Sequence, residues 1–349
     1  MIRLLHRALL CAAALVVAAP AVAEVPAGLS APLWAAWRDR FVQPDGRVVD
    51  NANGGISHSE GQGYGLLLAS LAGDAVTFHR IWSFTRTQLL VRDDGLAAWR
   101  WEPDASPNIT DINNASDGDL LIAYALALGG AAWGDDSLTE AAAAIASALW
   151  TAAIIPAGDD LVMLPGAAGF REGDRIDGPV VNLSYWVFEA FPALAAIDPE
   201  HDWTALADNG LKLLARSGVG PSRLPPEWSA LGDGPPRPAA GFDRTFGYNA
   251  IRIPLYLARA GLATPALVEP FLASRDETGA GAVILLDSGA RLEPLSDQGY
   301  RMALAAVDCA VNGTPVPSDL RTFAPDLYYP ATLHLLAWFY LAEQRPGCL

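Results

Sequence analysis

The chain has 349 residues, of which 39 are acidic and 23 basic, giving a formal net charge of −16. Such an excess of negative charge repels nucleic acid and anionic membranes, so both are excluded as partners. Three cysteines are too few for a disulfide scaffold or a zinc site, although Cys309 and Cys348 could pair in an oxidising compartment.

Residues 1–23 read as a secretory leader. Arg3 and Arg7 form a positive start, Ala8 to Ala19 an apolar run, and Ala21-Val22-Ala23 a small-residue cleavage site. The mature chain is expected to begin at Glu24, more acidic still for the loss of two arginines. Leu10 before Cys11 is too large for a lipoprotein cleavage site. No later apolar run approaches the roughly 20 residues of a spanning helix. The expected location is periplasmic or secreted, without a membrane anchor.

Helical periodicity dominates the mature chain, at 29–42, 59–72, 74–90, 117–129, 137–154, 184–197, 204–217, 247–260, 265–274, 296–310 and 328–344. Ser184 and Thr204 stand at expected N-caps, and Gly218 and Gly261 follow helix ends. The segments 117–129 and 328–344 are apolar nearly all round, as buried helices are, whereas 74–90 and 204–217 carry polar faces. Alternating buried and amphipathic helices predict an all-α array closed on itself. Two stretches break the rule. Val283-Ile-Leu-Leu286 and Ala290-Arg-Leu292 flank a turn and predict a small hairpin, and Asp160-Leu-Val-Met-Leu164 reads as extended. Prolines and glycines crowd 218–241, a loop long enough to suggest a function. With no low-complexity linker, residues 24–349 are expected to form a single domain.

Two segments carry acids in positions suited to chemistry. Glu60 lies in Ser59-Glu60-Gly61-Gln62-Gly63-Tyr64-Gly65, and Asp117 in Ala115-Ser116-Asp117-Gly118-Asp119. Glycosidic cleavage needs such a pair: one carboxylic acid protonates the leaving oxygen, and another carboxylate supports the sugar or activates water. The acid must hold its proton near neutral pH, so burial or a neighbouring carboxylate must raise its pKa. The plainer readings are a capping glutamate at a helix start and, for Asp117, an N-cap. The glycines leave room for a sugar but do not spell a dinucleotide fingerprint. Asp111-Ile-Asn113 starts like a calcium loop, yet Ala115 and Ser116 occupy positions that such a loop cannot use. No metal or cofactor is expected. Aromatic side chains suited to stacking on pyranose faces are Tyr64, Trp99, Trp101, Tyr185, Tyr248 and Tyr300, and His58 could tune Glu60.

Both acidic segments resemble the signature motifs of glycoside hydrolase family 8, a family of inverting endoglucanases, chitosanases and xylanases. The second continues Leu120-Leu-Ile-Ala-Tyr-Ala-Leu126, departs at Ala127 and Gly129, and matches again at Trp133. Phe246-Gly-Tyr-Asn-Ala-Ile-Arg252, Tyr328-Tyr-Pro-Ala-Thr-Leu333 and Trp99-Arg100-Trp101 are similar to family segments too. The resemblance implies an (α/α)6 toroid with six inner and six outer helices. It implies Glu60 as general acid, Asp117 beside the sugar at the cleavage point, and Tyr185, Tyr248 and Arg252 along the cleft. Asn249 stands where many members carry an aspartate that activates water, and an amide cannot take that proton. Some members with asparagine recruit a carboxylate from another loop. Here Asp243 is the first choice by proximity, followed by Glu227 and Asp233, then Asp174 and Asp177. The expected activity is endo-cleavage of a neutral β-1,4-glucan by a monomer, with a place beside bacterial cellulose production by analogy. Chitosan or xylo-oligosaccharide cleavage is the alternative within the family. Polysaccharide binding without catalysis is the alternative outside it.

Overall fold

The computed structural model describes residues 27–232 and 234–349. The predicted leader and Asp233 lie outside the described residues. Among the described residues, no helix is long and apolar enough to cross a membrane.

Eleven α-helices are formed by the described residues: α1 (Ala27–Phe41), α2 (Ser59–Leu71), α3 (Ala75–Phe84), α4 (Ser116–Trp133), α5 (Asp136–Ala153), α6 (Phe191–Ile197), α7 (Trp203–Ala215), α8 (Ile253–Arg259), α9 (Pro265–Ala273), α10 (Gln298–Asn312) and α11 (Tyr328–Gln344). Helices α2, α4, α6, α8, α10 and α11 form an inner ring. Successive members pack together, the 3-10 turn Phe188–Ala190 ahead of α6 makes the contact to α8, and α11 returns to α2. Helices α1, α3, α5, α7 and α9 cover them from outside. The architecture is an (α/α)6 toroid. Pro315, Pro317 and Pro325 interrupt 313–327, where a sixth outer helix would run, because proline removes a donor and clashes with the preceding turn. That segment makes only the 3-10 turn Ser318–Arg321. A disulfide joins Cys309 on α10 to Cys348 near the C-terminus, and the Val316 amide donates to the Cys348 carbonyl at 2.8 Å.

Burial follows the apolar pattern. Every residue of α4 from Ser116 to Ala127 is buried, as is every residue of α11 from Pro330 to Leu341. Two glycines set how closely α2 and α4 approach. A Cβ on Gly63 would lie 2.6 Å from the Leu121 Cβ, and one on Gly118 would lie 2.1 Å from the Ser59 Oγ. A Cβ on Gly65 would likewise lie 2.7 Å from Val48, so Gly63 and Gly65 serve packing and the expectation that they make room for a sugar is corrected for both.

Other departures have local causes. Helix 74–90 ends at Phe84 and passes into a π-helical turn, Thr85–Leu89, where the Gln62 amide donates to the Thr85 hydroxyl at 3.0 Å. Segments 184–197 and 247–260 begin as 3-10 turns, Leu183–Tyr185 and Ala250–Arg252, before their helices. The caps are Asn182 and Asp202, whose side chains accept from the Ser184 and Ala205 amides, not Ser184 and Thr204.

The described residues also form ten short strands around the ring. β1 (Ser57–His58) pairs with β2 (Arg100–Trp101), and β3 (Ile154–Ala157) with β4 (Asp160–Met163). The predicted hairpin is β9 (Gly281–Leu285) with β10 (Ala290–Leu295), extended by β8 (Thr245–Phe246). The long loop is partly structured: β6 (Ser229–Ala230) lies between β5 (Val180–Val181) and β7 (Arg237–Pro238).

Candidate active site

The N-terminal ends of the inner elements converge at one mouth of the ring. Arg252, 1% exposed and just ahead of α8, is the hub. Its Nη1 donates to the Glu60 Oε2 and its Nη2 to the Asp117 Oδ2, each at 2.7 Å. Its Nε donates to the Ser184 carbonyl at 3.0 Å, and the faces of Tyr185 and Tyr329 lie 5.6 and 5.9 Å from the guanidinium. Each acid sits in the first turn of its helix, where the positive end of the helix dipole favours a negative charge.

Glu60 is held from behind as well. The Ser59 amide donates to the Trp99 carbonyl at 3.0 Å, and β1 pairs His58 with Arg100. His58 caps α2, its Nδ1 accepting from the Gly61 amide at 2.9 Å while its Nε2 faces the Asp50 Oδ2 at 3.4 Å. That cap requires an unprotonated Nδ1. Asp117 is 1% exposed and accepts from its neighbour, the Gly118 amide, at 2.8 Å. It does not cap α4, whose N-cap is Ala115.

The two carboxyl groups are within hydrogen-bonding reach of each other and titrate as a pair. Burial and the nearby Glu60 carboxylate push Asp117 up to about 8, against the pull of Arg252. Burial also pushes Glu60 upward, but the Arg252 guanidinium, with the hydrogen bond from Asp117, outweighs it and holds Glu60 below the usual carboxylate range. The expectation of a raised Glu60 is corrected for the free protein. At neutral pH the pair shares one proton. Asp119 is likewise pushed up to about 7 by burial. It accepts from the Ala97 amide and from Asn114, tying α4 to the segment that leads to Trp99.

Asn249 meets a carboxylate that the chain reaches from elsewhere. The Glu227 Oε1 accepts from the Asn249 backbone amide at 2.7 Å, and its Oε2 from the Asn249 side-chain amide at 3.2 Å. Burial raises the pKa of Glu227. Asp243 stands exposed at the end of the same loop. Asp174 accepts from the Gly169 and Arg171 amides, and Asp177 from the Ala240 amide, so both serve the loops around them.

The aromatic residues divide. Tyr248 is 46% exposed, with its hydroxyl on Glu293, and Tyr185 is half-buried beside Arg252. Trp99 is half-buried and donates to the Asp111 Oδ2 at 2.8 Å, which engages the first carboxylate of the segment that starts like a calcium loop. Trp101 is partly covered, with the Arg47 guanidinium 5.0 Å from its ring and Phe84 at its edge. Tyr300 is 4% exposed and packs between Tyr248 and Tyr329. Tyr64 is fully buried, its hydroxyl on that of Tyr256, so it supports the floor and is not a cleft wall. Sequence reasoning missed Tyr329, Tyr256 and Glu293. Tyr329 was within reach, since it lies in the Tyr328-Tyr-Pro segment that resembles the family. Among the described residues, no group of three or more His, Cys, Asp or Glu is placed to hold a metal ion.

An (α/α)6 ring that gathers paired carboxylates at one mouth is the architecture of a glycoside hydrolase. The sequence matches the family model for glycosyl hydrolases family 8 over residues 8–273. A probable endoglucanase of Novacetimonas hansenii is 37% identical over 318 residues, covering 89% of this chain and 90% of its own. An endoglucanase of Cellulomonas uda is 38% identical over 70% of this chain and 67% of its own. The solved endo-β-1,4-glucanase CMCax of Acetobacter xylinum superimposes with a TM-score of 0.81 at 35% identity, over 91% of this chain and 99% of that one. The chain belongs to glycosyl hydrolases family 8.

Proposed function

We propose that this protein is an exported, single-domain endoglucanase that cleaves β-1,4-glucan with inversion, using Glu60 as general acid and Glu227 as general base. Glu227 carries the reading: it lies against Asn249, the position where many family members hold their basic aspartate. Asp243, the choice by sequence proximity, gives way to it. The endoglucanases among the relatives support the substrate, and the composition of residues 1–23 supports export.

Glu60 delivers its proton to the glycosidic oxygen. The single proton of the pair must stand on Glu60 when the bond breaks, and hydrogen-bonding reach lets it pass there from Asp117. Asp117, now ionised and held by Arg252, faces the positive charge that develops on the sugar ring. Glu227 takes a proton from water attacking the opposite face of the anomeric carbon, oriented through the Asn249 amide. Inversion requires the two working carboxyls to stand roughly 6.5–9.5 Å apart, leaving room for that water. A half-buried carboxylate set against Asn249 also argues against binding without catalysis, because a non-catalytic cleft has no use for one at this place.

Reducing-end release from carboxymethyl cellulose, chitosan and xylan, with proton NMR of the first product, tests the reading. Cleavage of carboxymethyl cellulose with the α-anomer appearing first is expected. The β-anomer appearing first overturns the mechanism, and cleavage of chitosan alone overturns the substrate.

The rate should follow a bell-shaped pH profile. Above a pH of about 8 the Glu60–Asp117 pair loses the proton that the acid needs, so activity falls as pH rises. On the acid side, Glu227 must be ionised, so activity falls as pH drops through a value above that of an ordinary glutamate. An alkaline limb unchanged in Asp117→Asn would remove the pair from that role.

A further inference from the structure

The geometry points to Trp228 as the positioning residue that holds the base-bearing loop in register over Asn249. The inference rests on the reading of Glu227 as the base. Trp228 directly follows Glu227 and lies in the middle of a layered stack. Phe170 lies on one side, at 5.7 Å between centroids and 4° between planes, and Phe242 on the other, at 4.5 Å and 10°. The Arg175 guanidinium covers the outer face of Phe242 at 4.7 Å, and Tyr185 meets the Trp228 ring edge-on at 6.0 Å. Stacked rings and a cation over a ring are both favourable pairings.

The stack joins segments far apart in the chain. Phe170 comes from the loop after β4, Phe242 from the end of the long loop, and Tyr185 from the turn ahead of α6. The stack sits on a small apolar cluster of its own, Val180, Ala230 and Ala239, separate from the main core. The backbone repeats the same connections. The Val180 amide donates to the Phe170 carbonyl and the Ala239 amide to the Trp228 carbonyl, both at 2.9 Å. The Glu227 amide donates to the Thr245 carbonyl at 3.1 Å. Little regular structure otherwise holds this region, since β5, β6 and β7 are each two residues long. The side chains of the stack therefore set where Glu227 stands. Tyr185 touches both the stack and Arg252, so the base-bearing loop and the acid pair share one aromatic contact.

A general base displaced by about 1 Å loses on the order of 10²-fold in rate. Trp228→Leu is therefore expected to lower kcat by roughly that factor while KM for cellotetraose stays close to wild type. Its acid limb should move to lower pH as Glu227 becomes more exposed. Trp228→Phe, which keeps a ring in the stack, should recover most of the rate, and Phe242→Leu should reproduce the loss with Trp228 intact. Far-ultraviolet circular dichroism and thermal melting select the variants that remain folded. A raised KM with unchanged kcat in Trp228→Leu would make Trp228 a sugar platform and overturn the positioning role. Glu227→Gln, assayed alongside, separates the two readings. If it is inactive while Trp228→Leu and Phe242→Leu keep full kcat and an unmoved acid limb, this inference alone is overturned. If it is active, the base assignment fails and this inference fails with it.

Discussion

Glu60→Gln is expected to lower kcat by roughly 10²–10⁴-fold, the usual contribution of general acid catalysis, while the fold survives. The amide keeps the shape of the carboxyl and can still accept from the Arg252 Nη1, but it cannot donate a proton to the leaving oxygen. Removing one partner of a buried ion pair normally leaves an uncompensated charge and destabilises a protein severely. Here the cluster has an internal remedy. In the wild type, Arg252 faces two carboxyls that share one proton at neutral pH, because the Glu60 carboxylate helps to hold Asp117 protonated. With Glu60 neutralised, Asp117 loses that repulsion and ionises in its place. Arg252 then still faces one negative charge. The melting temperature should accordingly stay within a few degrees of wild type, and oligosaccharide binding should persist. Kinetics on carboxymethyl cellulose, with a thermal melt of the same preparation, check both halves. Retention of more than about a third of the activity would remove Glu60 from the role of acid.

What can be read from the sequence is what local pattern encodes. α4 and α11 are legible because nearly every residue of each is apolar, and Glu60 and Asp117 because their flanking residues make recognisable motifs. Long-range relations are not legible. Arg252 reaches Glu60 across 192 positions and Asp117 across 135, and no periodicity announces such a bridge. The glycines of α2 read as room for a ligand, because a sequence does not show that Gly63 faces Leu121. Tyr64 reads as a cleft wall for the same reason: an aromatic beside an acid can point along its helix into the core. The sign of the Glu60 shift also depends on spatial neighbours, since burial alone pushes a carboxyl upward and the Arg252 guanidinium, with the Asp117 hydrogen bond, reverses it. Asp243 is the nearer acid to Asn249 in sequence, whereas the turns of the long loop carry Glu227 there from 22 residues away.

That displacement makes Glu227→Gln the sharpest test, with an expected loss of roughly 10²–10⁴-fold in kcat and little change in fold or substrate binding. The substituted side chain can still accept from the Asn249 backbone amide through its carbonyl oxygen, so the loop stays in place while the basicity disappears. Asp243→Asn should leave the rate nearly unchanged, since Asp243 stands exposed and Asn249 already has its partner. Asn249→Asp distinguishes a moved base from a lost one. If the family's original base had simply been lost, restoring a carboxylate beside Arg252 should raise activity. In this structure the new carboxylate would lie about where the Asn249 amide now donates to the Glu227 Oε2 at 3.2 Å. Two carboxylates that close cannot both ionise readily, so one pKa rises and a base is sacrificed. Asn249→Asp is therefore expected to be less active than wild type at neutral pH, with its acid limb moved to higher pH. A gain of about tenfold or more in Asn249→Asp, together with an active Glu227→Gln, would show that the base was lost and not moved.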